Sequence, residues 1–219
     1  PCFFACKKNF FTIYETHKPF YHYNFLDKII FKKMIKMKYF GFLITISDYL
    51  IKEYNKNKVF KNIDKIMLRD GANIIQLSNK VINDKTPSVG YVGSLYEGRG
   101  IEIIVKLSNL LKNINFHIVG GSKEDIQSFK NLNINNKLIF HFYLNYKNAL
   151  KKMSEYDILL APYKSDVKVP GGLNTYKWMS PIKLFEYMSV KKPIITSDLN
   201  SLKEFMINDY NCLLVNENN

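Results

Sequence analysis

Cysteine is scarce in this chain of 219 residues: Cys2, Cys6 and Cys212 are an odd set, with no metal-ligand spacing beyond the first two and no His pair at i, i+4 beside them. They read as reduced thiols in a cytoplasmic protein, and no metal is expected. Long apolar runs are missing as well. The longest, ILLAP and FGFLITI, fall well short of the ~20 residues that cross a bilayer, so no transmembrane helix is expected. No basic stretch followed by an apolar core and a small-residue cleavage site opens the chain, so no signal peptide is visible. Arginine is almost absent: only Arg69 and Arg99 stand among 32 basic residues.

What is present is 47% hydrophobic residues, enough for one or two cores, and a net charge of +13 with a pI near 9.4. Such a charge admits nucleic acid, an anionic membrane surface or an anionic substrate as partner. It also follows from a plain bias toward Lys, Asn and Ile, because the lysines are scattered. Aromatic residues are not interleaved with them on one visible face, which argues against nucleic acid. An arginine kept in so lysine-heavy a chain draws attention, since its planar fork suits bidentate contact with phosphate.

The segment FFTIYETH (10 to 17) predicts a strand with a polar end. Residues 25 to 40 repeat apolar positions at Leu26, Ile30, Met34 and Met37 with lysines between, an amphipathic helix. Two readings stand for it: a helix packed on a sheet, or a basic helix lying on a membrane surface. FLITIS (42 to 47) is a buried strand, Asp48 opens a short helix, and KIMLRDGAN holds a short strand and a Gly turn. Residues 78 to 88 read as a linker.

From Val89 the rhythm is regular: strand VGYVG, helix 101 to 112, strand INFHIVGG, helix 123 to 131, strand KLIFHF, helix 146 to 154 and strand DILLAPY. A long loop (164 to 179), a helix, strand PIITSD, helix 201 to 207 and strand NCLLV follow. Strand and helix alternating through short connections predict an α/β fold, a doubly wound parallel sheet of Rossmann-like type. Ligands of such sheets sit at the carboxyl ends of the strands.

The loop GSLYEGRG (93 to 100) joins the first of these strands to its helix, where glycines let backbone amides approach an anion. It is not the dinucleotide fingerprint. Glycines fall at 90, 93, 98 and 100, and the second strand closes on Gly120 and Gly121, with no acid. Arg99 there reads either as a cation facing a diphosphate or as a solvated surface residue. In SPIKLFEYM (180 to 188), Ser180 reads as the N-cap and Pro181 as the first helical residue. At ~100° per residue, Ile182, Leu184, Phe185 and Met188 gather on one side, and Lys183, Glu186 and Tyr187 on the other. Glu186, pointing away from the core, reads as an acceptor for the vicinal hydroxyls of a ribose or as the partner of Lys183 in a surface pair.

GYVGSLYEGRGIE, FHIVGG, YDILLAPY and above all SPIKLFEYMSVKKPIITSD, in this order and at these separations, resemble the nucleotide-sugar-binding domain of the family 4 glycosyltransferases (glycosyl transferases group 1), which have the two-Rossmann-domain glycosyltransferase B fold. The resemblance runs from about Val89 to the end. TIYETH, LITIS and IMLRDGAN look like the closing strands of the family's acceptor-binding domain. Residues 1–80 are thus expected to be the C-terminal part of that domain and 86–219 the donor-binding domain, with the chain truncated at both ends and the family's closing helix absent.

The resemblance implies a retaining hexosyltransferase that moves a sugar from a nucleoside diphosphate to a hydroxyl on a sugar, lipid-linked or other acceptor, in cell-surface polysaccharide, lipopolysaccharide or glycolipid synthesis. It makes Glu186 the ribose ligand and Arg99 the cation facing the diphosphate, with Gly93 allowing close approach. Lys183 and the amides of Ser180, Pro181 and Ile182 would lie near the phosphates or the sugar. Phe142 and Tyr143 would flank the base, and His17 would reach toward the sugar; for these three, plain packing is the competing reading. Cofactor and metal are not expected, because cations and helix amides take the metal's place. Peripheral contact with the inner face of a membrane is a further expectation, and an epimerase of the same fold and a fragment that binds nucleotide without transfer are the rival readings. Two positions depart from the family: Ser94 where an Arg is common, and Trp178 where a second Glu is common.

Overall fold

The structure, a computed structural model, describes residues 1–74, 86–130 and 138–216. The chain divides into two compact units: Pro1–Asp70 with Lys177–Ser180, and Gly71–Tyr176 with Pro181–Asn219.

In the first unit, strands β1 (Thr12–Thr16), β2 (Phe40–Thr45) and β3 (Lys65–Met67) form a parallel sheet in that order. Helices α1 (Cys2–Lys7), α2 (Phe25–Met34) and α3 (Asp48–Lys56) accompany them. Local capping sets the helix starts: the Asn24 side chain accepts from the Asp27 N–H, and Ser47 accepts from the Leu50 N–H. The core is aromatic. Phe31 lies 4.7 Å from Tyr14, 5.8 Å from Phe20 and 5.3 Å from Phe60, ring centre to ring centre, distances at which tilted and edge-on pairs are favourable.

The second unit follows the predicted alternation: β4 (Ser88–Val92), α4 (Ile101–Leu110), β5 (Asn115–Val119), α5 (Lys123–Lys130), β6 (Leu138–His141), α6 (Tyr146–Glu155), β7 (Ile158–Ala161), α7 (Ile182–Ser189), β8 (Ile194–Ser197) and β9 (Leu213–Val215). All six strands are parallel, in the order β6-β5-β4-β7-β8-β9. Two runs of strands leave β4 and β7 in opposite directions, so the topological switch point lies between these two. The buried residues Val89, Tyr91, Ile101, Ile104, Phe116 and Ile118 form the core on the β4–β5 side.

Three sequence expectations change. The helix predicted over 25 to 40 ends at Met34, and Lys36, Met37 and Phe40 close turns through i→i−3 bonds. The helix predicted over 201 to 207 is a series of turns. Asn211 supplies the reason: its Oδ1 accepts from the Ile207 N–H and its Nδ2 donates to the Phe205 carbonyl, so a side chain takes backbone groups that a helix would pair. The helix predicted from Pro181 starts at Ile182, with Pro181 as its cap. Most of the linker predicted over 78 to 88 lies outside the described residues.

Candidate functional site

Strands β4 and β5 pair over five residues each, but β4 and β7 pair only at Val89 with Ile158 and Gly90 with Leu159. Beyond Gly90 the two strands part, and their backbone groups need other partners. The Tyr187 hydroxyl supplies them: it accepts from the Val92 N–H at 2.8 Å and lies 3.3 Å from the Leu160 carbonyl and 3.4 Å from that of Val92 as a donor. A phenol with an apolar ring and a polar tip can be buried when that tip is satisfied, and Tyr187 is wholly buried. This corrects the predicted helix faces. Leu184 and Tyr187 face the core, whereas Ile182 is exposed and Phe185 stacks on Phe205 at 4.7 Å.

Where the strands part, a cleft of about 580 Å³ opens at the carboxyl ends of β4 and β5. Its walls include Val92 to Tyr96 after β4, Val119 to Ser122 after β5, Tyr143 and Leu144 after β6, one face of α6, and Lys183 and Glu186 from α7. Gly93 is held at φ 150°, and a Cβ built on it would stand 2.5 Å from Lys183 Cε and 2.7 Å from Nζ. Only a bare backbone lets the Lys183 side chain pass. Gly100 caps α4 at φ 73°, where a Cβ would meet the Pro162 carbonyl oxygen at 1.8 Å.

The Lys183 amine rests 3.6 Å from the centre of the Tyr91 ring and 5.5 Å from that of Tyr163. It is buried and, among the described residues, has no hydrogen-bond partner. Burial, reinforced by the positive charge of Arg99, pushes its pKa well below the ordinary lysine value, with Glu186 pulling the other way. Arg99 lies 5.4 Å over the Tyr163 ring and interacts with its hydroxyl, and the buried Nε of Arg99 has no hydrogen-bond partner among the described residues. Burial raises Tyr163 to about 12, against the pull of Arg99. The half-buried carboxyl of Glu186 is pushed up by burial, with Lys183 opposing. Buried polar atoms are nearly always paired, and the Lys183 amine, which lines the cleft, has no hydrogen-bond partner among the described residues. Lys183 and Arg99, with no hydrogen-bonded counter-ion among the described residues, make that edge of the cleft chemically suited to an anion.

Among the predicted residues, Gly93, Tyr143, Lys183 and Glu186 line this cleft. Arg99 adjoins it through Tyr163. Phe142 and Tyr143 are both exposed, and Phe142 is not among the lining residues. Ser180 does not cap α7: its Oγ accepts from the Asp70 N–H at 3.3 Å within the first unit. Ile182 and Pro181 are at the start of α7, half-buried at most, and the former projects to solvent. His17 belongs to the first unit, exposed, with Nε2 2.6 Å from Glu15 Oε1. Trp178 is buried in that unit too, where its Nε1–H donates to the His17 carbonyl at 3.1 Å and its ring stacks on Tyr49 at 5.9 Å. The sequence reading missed Tyr91 and Tyr163, whose rings face the Lys183 amine. Their one signal was the placement of a Tyr at the end of each of two core strands, GYVG and APY. Among the described residues, no group of three or more His, Cys, Asp or Glu side chains could hold a metal ion.

Comparison with known proteins adds the following. The family model described as glycosyl transferases group 1 matches residues 86–219. A curated relative, the uncharacterized glycosyltransferase MJ1178 of Methanocaldococcus jannaschii, is 26% identical over 205 residues, which cover 88% of this chain and 52% of that protein. Among solved structures, Anabaena Alr3699/HepE in complex with UDP and glucose superposes with a TM-score of 0.66 at 15% identity, over 93% of this chain and 57% of that one. Sucrose-phosphate synthase (tll1590) from Thermosynechococcus elongatus gives 0.69 at 16% identity, over 99% of this chain and 58% of that one. The chain therefore spans little more than half the length of these relatives, and the structural likeness is one of fold.

Proposed function

The chain belongs to the glycosyl transferases group 1 family, and from that premise we propose that its second unit binds a nucleoside diphosphate sugar, as part of an enzyme that transfers the hexose to an acceptor hydroxyl. The observation that carries the reading is the buried, unpartnered amine of Lys183 at the switch-point cleft, with Arg99 and Glu186 beside it. In this reading Lys183 and Arg99 receive the diphosphate, and their charge stabilises it as it leaves the sugar. They are placed before the reaction begins, so little reorganisation is needed as negative charge develops. Glu186 accepts hydrogen bonds from the ribose hydroxyls, and the exposed Tyr143 ring at the mouth offers a face to the base. No metal is needed when cations and amides carry the charge. Transfer with retention at the anomeric carbon, and a place in cell-surface polysaccharide, lipopolysaccharide or glycolipid synthesis, follow from the family resemblance and belong to the proposal.

The UDP-bound Anabaena structure supports a uridine nucleotide as the first to test. Calorimetric titration of the chain with UDP, GDP and ADP, beside Glu186→Ala and Arg99→Ala, tests the site. Selective binding of one nucleotide, weakened by both substitutions, is the expected result. Equal affinity before and after both changes would remove the assignment.

A further inference from the structure

Strands β5 and β6 both run toward the cleft, and two histidines tie their ends together. Alternate residues of a strand share a face, so His117 and His141 lie on the opposite side of the sheet from Phe116, Ile118 and Phe140, which pack in the core. His117 Nδ1 stands 3.0 Å from His141 Nε2 while the ring centres are 5.3 Å apart, so both nitrogens lie close to the line joining the rings. This is a hydrogen bond along its own axis, one neutral imidazole donating and the other accepting. Burial keeps both rings neutral by lowering their pKa values; His141 and then Lys152 add to this at His117, Lys152 adds to it at His141, and Glu155 opposes at both.

The pair is held from behind and connected in front. Gly90 sits opposite His117 on β4, and a Cβ there would stand 2.0 Å from Tyr156 Cδ2. The bare backbone lets the buried Tyr156 ring lie against the sheet, where it stacks on His117 at 4.9 Å. In front, the His141 carbonyl accepts from the Gly120 N–H at 3.1 Å, and the chain continues from His141 into Tyr143 and Leu144. Gly120, Tyr143 and Leu144 line the cleft. Two aliphatic side chains would fill the place of the histidines at less desolvation cost, but without fixing a direction. The axial bond fixes where β6 ends relative to β5, and with it where the Tyr143 ring stands. We propose that the His117–His141 pair positions the base-contacting wall of the cleft, and so governs which nucleobase the protein prefers. The inference rests on the donor-site reading and deepens it. Neither histidine is a catalytic residue; both act through Gly120 and the segment that follows His141.

The test compares the natural chain with His141→Leu, His117→Phe and His141→Gln. Leucine removes the bond, phenylalanine removes it while keeping a ring on Tyr156, and glutamine restores an uncharged amide near the facing nitrogen. Calorimetry with UDP, GDP and ADP reads the base end, calorimetry with inorganic pyrophosphate reads the Lys183 and Arg99 edge, and hydrogen exchange of the Gly120 amide reads the wall without any ligand. In His141→Leu and His117→Phe the preferred nucleotide is expected to bind at least about fivefold more weakly, the lower end of what a base–aromatic stack contributes. Discrimination among the three bases shrinks, Gly120 exchanges faster, and pyrophosphate binding stays as it was. His141→Gln behaves as the natural chain does. Unchanged nucleotide affinity and Gly120 exchange in both disrupting variants would overturn the proposal. So would a loss of pyrophosphate affinity as large as that of nucleotide, which reports general loosening, or a His141→Gln variant as weak as His141→Leu. A natural chain that binds none of the three nucleotides would instead overturn the donor-site reading, and the Gly120 exchange would still decide whether the pair holds the wall.

Discussion

Replacing Lys183 by methionine is expected to stabilise the free protein and weaken it as a receptor for nucleotide. The amine is buried without a hydrogen-bond partner, 3.6 Å from the Tyr91 ring centre and repelled by Arg99. The chain meets this by leaving an ammonium poorly solvated or by releasing its proton, and either costs free energy. An unsatisfied buried donor costs roughly 1–3 kcal/mol, and more when charged. The cation–π contact returns about 2 kcal/mol in a desolvated site. Methionine keeps the stem and removes the charge, so the free variant is expected to gain roughly 1–2 kcal/mol. In the proposed site it would also lose a charge-assisted bond to phosphate, which at about 1.5–3 kcal/mol is roughly ten- to a hundredfold in affinity, the upper end being taken below.

The two effects reverse the order of stability when nucleotide is added. At a concentration a thousandfold above its Kd, the natural chain gains about 4.1 kcal/mol, and a variant binding a hundredfold more weakly gains about 1.4 kcal/mol. The deficit of about 2.7 kcal/mol exceeds the advantage the free variant started with. Thermal unfolding followed by circular dichroism, with and without UDP, reads both halves. A variant less stable than the natural chain in the absence of nucleotide would refute the claim that Lys183 is held at a cost, and parallel shifts on adding UDP would refute its contact with phosphate. The depressed pKa adds a sign: phosphate restores the protonated form, so binding takes up protons and strengthens as pH falls through the pKa of free Lys183. Titrations in buffers of different ionisation enthalpy measure that uptake.

Tyr187→Phe keeps the ring but leaves the Val92 N–H without its 2.8 Å acceptor, and should cost about 1–3 kcal/mol in urea denaturation, with weaker nucleotide binding because the start of the Gly93 loop is freed. Gly93→Ala places a Cβ 2.5 Å from Lys183 Cε at a φ of 150°, so a loss of at least about tenfold in UDP affinity is expected by calorimetry. His117 and His141 meet at 3.0 Å, nitrogen to nitrogen, and burial, then the neighbouring His141, lowers His117 to about 4. The unfolded chain, with histidine near 6.5, therefore binds more protons in this window. The pair's contribution is full above about pH 6.5 and is lost as pH falls toward 4, a loss well under the ~1.4 kcal/mol per unit limit because both rings are only half-buried. Denaturation midpoints across that range should flatten in His117→Phe.

Periodicity sufficed for the parallel sheet because its strands are short apolar runs bounded by glycine, proline and polar turns, and nothing outside each segment is needed to see them. It did not suffice where a side chain just beyond the segment takes over backbone groups. Asn211 does this to residues 205 and 207, and the predicted helix there dissolves into turns. The faces of α7 were misread for a related reason. Counting aliphatic residues sets Ile182 inside and Tyr187 outside, but Tyr187 gains three backbone contacts at the point where β4 and β7 separate, and no local pattern announces that separation.

The candidate site was legible in its charges and not in its frame. Glu186, Lys183 and Arg99 could be singled out because each is costly where it stands: a carboxylate and an amine on an apolar helix, and one of two arginines in a lysine-rich chain. What makes Lys183 a candidate anion receptor is the absence of a partner, which depends on Tyr91 below it, on the missing Cβ of Gly93 above it, and on a register of α7 that holds Glu186 near without a hydrogen bond. Trp178 shows the same limit from the other side. Read by position, it is a lost acid of the donor site. In the structure it is a buried ring of the first unit, bonded to the His17 carbonyl and stacked on Tyr49, so a glutamate there would leave an indole-sized cavity and a carboxylate among aromatic rings. Restoring the family's acid by Trp178→Glu is therefore expected to lower the stability of the first unit by several kcal/mol and to leave the UDP affinity of the second unchanged, a pairing that urea denaturation and calorimetry on the same sample can read.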